Sequence, residues 1–182
     1  MNDNKLKWEI KDRRKLLHTP VFDVIGQYER SATGIEGEYV AIEAPDWVMV
    51  IPEYNGSFVT VKQWRHSSES LSIEFPGGVA DEGEDTATTA ARELYEETGF
   101  KANSLTYLGS VSPNPALFKN RFHIYLADDL TPTGEQALDD DELLTYELIP
   151  IDEVISSYGD RMYSHALMGT ALAMYMRKKM LR

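Results

Sequence analysis

The stretch from Gly78 to Phe100, GVADEGEDTATTAARELYEETGF, constrains this chain more than any other. As a pattern it reads G-x5-E-x7-R-E-L-x-E-E-x-G-F. Thr86 to Thr98 contains neither proline nor glycine and is rich in Ala, Glu and Leu, so it is expected to be helical. Asp85 is placed to cap the start, and Gly99 stands where helices commonly end in a left-handed residue. Ala87, Ala90, Ala91, Leu94 and Thr98 recur at helical intervals and form a narrow apolar stripe. Glu93 and Glu97 are four apart on another face, with Glu96 one step around from it.

Three carboxylates converging on one face repel each other unless a cation sits between them. Hard divalent ions accept oxygen ligands and keep several waters, which suits a phosphate-bearing substrate. The ordinary alternative is a solvated acidic face, the usual fate of a charge run. Arg92 has a plain reading too, as an i,i+4 ion pair with Glu96. Glu84 reads equally as a first-turn glutamate favouring the helix dipole. Spacing within this one segment leaves both sets of readings open.

Composition narrows the classes. At 182 residues the chain fits one domain, with room for a small N-terminal appendage. It has no cysteine, which excludes disulfides and thiolate metal sites. A net charge of −12 argues against nucleic acid as a partner, because the phosphate backbone rewards a basic surface. No apolar run reaches the length of a membrane span, and the polar opening MNDNKLKWEIKDRRK lacks the hydrophobic segment of a signal peptide. The expectation is a cytoplasmic protein without a membrane partner.

Along the rest of the chain, residues 1–20 give no clear pattern. Short alternating runs then predict strands at Val21–Glu29, Gly37–Glu43, Trp47–Glu53 and Ser57–Trp64, with Asn55-Gly56 as a hairpin signal. Leu71–Phe75, Leu105–Val111, Arg121–Ala127 and Thr145–Pro150 read as further strands. Asp152–Tyr158 and Ser164–Leu181 read as helices, the latter with Leu167, Ala171, Met174 and Tyr175 inward. Mixed strands around two or three helices indicate an α/β (α+β) sandwich. None of the four histidines shows metal-ligand spacing, and all are expected in structural or surface roles.

The Gly78–Phe100 segment resembles the signature of the Nudix hydrolases at every defining position. Val61-Lys62-Gln63-Trp64-Arg65, shortly before Phe75-Pro76-Gly77-Gly78, is similar to the segment that precedes the signature in ADP-ribose and related nucleoside-diphosphate-sugar pyrophosphatases. Pro115, sixteen residues after Gly99, stands where that group carries a proline. Leu138-Asp139-Asp140-Asp141-Glu142 resembles the group's acidic loop, with aspartates where glutamate is more usual.

The resemblance implies an α/β/α sandwich with a mixed β-sheet and an N-terminal antiparallel strand extension. That extension is taken as residues 1–53, involved in dimerisation, and the catalytic domain as 54–182. It implies Mg2+, with Mn2+ as the alternative, held by Glu93 and Glu97, with Glu96, Glu84 and the Gly77 carbonyl as further ligands. Arg92 would orient the carboxylates and, with Glu96, belong to the catalytic group. Glu142 is the first candidate for the base and Asp140 the second, against the ordinary reading of a solvated acidic loop.

Arg65, Trp47 and Pro115 are the candidate substrate contacts. Arg65 reads equally as a strand arginine paired with Glu69 or Glu74, and both Trp47 and Trp64 as core packing. The implied reaction splits the pyrophosphate of a nucleoside diphosphate sugar, ADP-ribose first, in a homodimer. The rivals are GDP-mannose or another nucleoside diphosphate sugar, a nucleoside triphosphate, a non-catalytic nucleotide-sugar sensor, and an unrelated interaction protein.

Overall fold

A computed structural model of the protein describes residues 3–140 and 142–181. Two compact units divide the chain. The first takes the described residues up to Pro45 together with Ser112–Arg121, and the second takes Asp46–Val111 with the residues from Phe122 onward.

In the first unit, β1 (Trp8–His18), β2 (Asp23–Ser31) and β3 (Glu36–Glu43) form an antiparallel sheet in the order β1-β2-β3. Strand β1 is exposed along its whole length. It therefore buries no alternate face, and the period-2 signal by which a strand is recognised in sequence is missing there. Residues 112–121 join this unit through backbone bonds to Ile42, whose amide donates to the Leu117 carbonyl at 2.7 Å and whose carbonyl accepts from the Lys119 amide at 3.0 Å.

The second unit holds β4 (Trp47–Tyr54), β5 (Ser57–Arg65), β6 (Ser70–Glu74), α1 (Thr86–Thr98), β7 (Phe100–Val111), β8 (Phe122–Pro132), β9 (Leu144–Pro150), α2 (Ile151–Ser157) and α3 (Ala166–Met180). Its sheet runs β6-β5-β4-β8-β7, with β9 paired to β5. The β4–β8 pairing is parallel and the others antiparallel, as expected of a mixed sheet. The expected boundary after Glu53 falls inside β4, which is the central strand of this sheet. Val50 and Ile51 are fully buried on its two faces, so β4 belongs to the core of the second unit and cannot be part of an extension.

Alternation along the central strands splits the core in two. Val48, Val50, Val59 and Ala127 face α1 through Ala90 and Leu94. Met49, Ile51, Phe58, Ile124 and Leu126 face α2 and α3 through Val154, Met168, Ala171, Leu172 and Tyr175. Inward residues of α3 are shifted slightly from expectation: Met168 and Leu172 are buried, while Leu167 and Met174 pack at the margin. Trp64, expected in the core, is 48% exposed because it lies near the end of β5, where register turns it outward.

Helix α1 has the predicted bounds and caps. Asp85 accepts hydrogen bonds from the amides of Ala87 and Thr88, and Gly99 is left-handed with φ of 67°. Burying Leu94 against β4 and β5 fixes the helix to the sheet. Leu94→Ala is expected to destabilise the protein by about 2–5 kcal/mol, read by chemical denaturation. A loss under about 1 kcal/mol would mean that this helix is not held by its apolar stripe.

Candidate active site

Strands β4 and β5 pair only at their hairpin, Glu53 with Phe58 and Tyr54 with Ser57. Beyond it they part, and the loop after β6 runs along the freed edge of β4. The amides of Val50 and Val48 donate to the carbonyls of Pro76 and Gly78, both at 2.9 Å, and Trp47 pairs with Val79. Only glycine fits this approach. A Cβ on Gly77 would stand 2.2 Å from the Val48 carbonyl oxygen, and one on Gly78 would stand 2.4 Å from Oε1 of Glu93.

Helix α1 presents its glutamates to that loop. Glu97 is 3% exposed, and its Oε2 accepts the Gly77 amide at 2.8 Å. Glu93 is 8% exposed. The narrow solvated face, one of the two readings of this helix, is therefore not what these two carboxylates occupy. Burial pushes Glu97 up to about 8, with the charges of Glu93 and Glu142 adding to the rise and the Gly77 amide opposing it. Burial also pushes Glu93 up to about 7 against the pull of Arg92, with Glu96 and Glu142 again adding to the rise.

Arg92 is shared among three carboxylates. Its Nη1 donates to Glu96 at 2.9 Å and Glu93 at 3.0 Å, and Nε and Nη2 donate to the two oxygens of Glu84 at 3.2 and 3.1 Å. The expected Glu96 pair is thus real and is one part of a larger network. Glu84 also accepts from the Thr89 hydroxyl at 2.9 Å and the Asp81 amide at 3.2 Å. The Arg92 hydrogen bonds above all hold its carboxyl down at about 2.

The acidic loop is brought to this face from far along the chain. The Ala137 amide donates to the Glu96 carbonyl at 2.9 Å, and the Thr133 amide to the Gly99 carbonyl at 2.8 Å. The segment is thereby seated on the end of α1. Its continuation forms a turn in which the Glu142 amide donates to the Asp139 carbonyl and the Asp139 amide donates to the Glu142 side chain. Glu142 is half-buried and its charge acts on Glu93 and Glu97, whereas Asp140 is exposed. Asp141 lies outside the described residues.

Beside the loop lies a cavity of ≈ 550 Å³ lined by Trp47, Met49, Arg65, Glu74, Gly77, Gly78, Phe122 and His165, among others. Trp47 both packs against the core and lines this cavity. Arg65 likewise combines its two readings: it lines the cavity while its Nε and Nη2 grip Glu74 at 2.8 and 2.6 Å. Pro115 belongs to the first unit, where it lines a hollow with Trp8, Gln27 and Tyr39. The structure therefore gathers Glu84, Arg92, Glu93, Glu96, Glu97, Gly77 and Glu142 around one helix face, and sets Arg65 and Trp47 in the adjoining cavity.

In the sequence Glu74 reads only as a possible ion-pair partner of Arg65, and His165 only as a structural or surface histidine. Glu74 is 1% exposed, and the His165 Nε2 stands 3.8 Å from its Oε2. Burial alone would raise the Glu74 carboxyl, but Arg65 and His165 together hold it below its ordinary value. A buried carboxylate directly before Phe75-Pro76-Gly77-Gly78 was the available signal. His165 had none, since ninety residues separate it from Glu74.

Among the described residues no three histidine or acidic side chains already form a cation cage. The Arg92 guanidinium instead bonds oxygens of Glu84, Glu93 and Glu96. The donor set nevertheless fits a hard divalent ion. Two buried carboxylates that resist ionisation, with more acidic charge around them, are what such an ion would discharge.

A pH dependence follows. Glu93 and Glu97 hold protons in the folded state to higher pH than in the unfolded chain, so the folded state binds more protons between about pH 5 and 8. Stability should be full at the acid end of that window and fall as pH rises through it. With EDTA present, Tm is expected to decrease from pH 5 to 8.5, and Glu97→Gln should flatten the decrease. A Tm that rose over this range would contradict the burial of these groups.

Comparison with known proteins agrees with this geometry. The model of the NUDIX domain matches residues 44–166. The ADP compounds hydrolase NudE of Escherichia coli is 36% identical over 95 residues, covering 52% of this chain and 50% of that protein. An ADP-ribose pyrophosphatase of Bacillus subtilis is 33% identical over 101 residues, 55% of each. The matched stretch thus spans about half the length of these curated relatives. A crystal structure of an ADP compounds hydrolase superposes with a TM-score of 0.84 at 26% identity, covering 94% of both chains. With the family's model matching most of the chain, and its helix, loop and sheet in place, the chain belongs to the Nudix family.

Proposed function

We propose that this protein hydrolyses the pyrophosphate bond of a nucleoside diphosphate sugar, with ADP-ribose the leading substrate, giving a nucleoside monophosphate and a sugar phosphate. The observation that carries this reading is the pair of buried, hard-to-ionise carboxylates, Glu93 and Glu97, beneath a glycine loop at the mouth of a cavity. The similarity to proteins named ADP compounds hydrolase and ADP-ribose pyrophosphatase supports the choice of substrate.

Glu93 and Glu97, with Glu96, Glu84 and the Gly77 carbonyl, are the residues that would hold Mg2+ or Mn2+. When bound, such an ion neutralises diphosphate charge and makes a water more acidic. Arg92 keeps Glu84, Glu93 and Glu96 in register, so its role is positioning. Glu142, whose charge acts on Glu93 and Glu97, is the side chain proposed to accept the proton of the attacking water. Asp140 is the lesser candidate, being exposed. Arg65 and Trp47 contact substrate in the cavity, the guanidinium through the donor edge that Glu74 leaves unused. Pro115 is also proposed as a substrate contact.

A homodimer is also proposed, with the N-terminal strands as its contact. The fully exposed β1 carries Trp8 and Leu17 at 41% and 54% exposure, an apolar display that a second copy would cover. Light scattering should give twice the chain mass, and a stable, fully active monomer would refute the dimer.

Turnover with ADP-ribose should require added Mg2+ and vanish with EDTA. Glu97→Gln should remove most turnover without unfolding the protein, and Glu142→Gln should lower kcat by about 10²–10⁴-fold. A well-folded Glu97→Gln variant of near-normal activity would refute the proposed site. Comparing kcat/KM for ADP-ribose, GDP-mannose and nucleoside triphosphates tests the substrate.

A further inference from the structure

The cavity has a built polar corner in which Glu74 and His165 take no part in the proposed pyrophosphate chemistry. His165 caps α3, its Nδ1 accepting the Met168 amide at 3.3 Å. A ring nitrogen that accepts an amide carries no proton, so the ring is neutral and its hydrogen sits on Nε2. Burial favours the same neutral form, lowering the His165 pKa. At 3.8 Å from Oε2 of Glu74, the Nε2–H is beyond hydrogen-bond reach of that carboxylate. It is a donor held beside an acceptor with a gap between them.

The acceptor is equally fixed. Glu74 is 1% exposed and clamped by Nε and Nη2 of Arg65. Arg65 and Glu74 cancel in charge, and the neutral imidazole adds none. A neutral corner offers little to a second phosphate and much to an uncharged group that both donates and accepts hydrogen bonds. The same cavity is also lined by Trp47, Met49, Phe75 and Phe122, which supply apolar surface. A sugar ring offers both hydroxyls and C–H surface, which a lining of mixed polar and apolar groups can meet.

We propose that Glu74 and His165 together read a hydroxyl group of the sugar joined to the diphosphate, which makes His165 a specificity-determining residue. This rests on the reading of the protein as a nucleoside-diphosphate-sugar pyrophosphatase. The hydroxyl accepts from His165 Nε2–H and donates to Glu74, bridging the gap between them. A substrate without that hydroxyl leaves both groups unpaired in a partly dry site, which is the stronger source of discrimination.

The test uses two variants that keep the cap of α3, His165→Asn and His165→Asp, because both residues are strong N-caps. Each is assayed with ADP-ribose and with the β-methyl ester of ADP, which keeps the pyrophosphate and lacks the sugar. The kcat/KM ratio of ADP-ribose over the methyl ester should fall about tenfold in His165→Asn, the loss lying in KM for ADP-ribose and not in kcat. His165→Asp, which adds a charge, should lower the ratio at least as far. An unchanged ratio in both variants, or an equal rise of KM for both substrates, overturns the subsite while leaving the pyrophosphatase reading standing. A wild-type protein inert toward ADP-ribose and every other nucleoside diphosphate sugar overturns the reading itself.

Discussion

The site depends on one hydrogen bond, from the Gly77 amide to the buried Glu97 carboxylate. It joins the loop that runs against the freed edge of β4 to the helix that packs over that part of the sheet. Burying a carboxylate is costly unless something compensates it, and a single backbone amide compensates Glu97 incompletely. The residual cost is visible in the raised pKa values of Glu97 and Glu93. It makes the arrangement a stored demand for positive charge, which Arg92 meets at one end of the acidic face and leaves unmet at the other.

Two architectural choices produce that interaction. Strands β4 and β5 separate after their hairpin, which frees the Val48 and Val50 amides for Pro76 and Gly78. Leu94 and Ala90, fully buried, then fix the height and rotation of α1 above the same strand. Gly78 admits the Glu93 side chain where any Cβ would collide with it. Packing on the apolar face of α1 and chemistry on its acidic face are therefore set by one rigid placement, which is how a site gains geometric precision.

Much of this was legible in the residues. Helix α1, both of its caps and the strands from β2 onward follow from propensity, periodicity and turn signals, because each of those elements buries side chains in a regular way, on one face or, in β4, on both. Strand β1 was not legible, since a strand exposed along its length has no pattern to read. The domain boundary was misplaced for a related reason: β4 follows the N-terminal strands closely in sequence, and nothing local shows that it pairs in parallel with β8, some seventy residues later.

Sequence by itself determined the chemistry on offer: which residue types stand at which offsets along α1, and hence the reaction class they suit. Those offsets are local, and a helix converts them directly into a shared face. Tertiary structure decided what is buried, what is paired and what is adjacent. It sank Glu93 and Glu97, seated the Glu142 turn on the end of α1, clamped Arg65 onto Glu74 and placed His165 beside them. It also assigned Pro115 to the first unit. These facts rest on contacts between residues distant in the chain, and desolvation, which sets the charge state of each group, exists only once those contacts have excluded water.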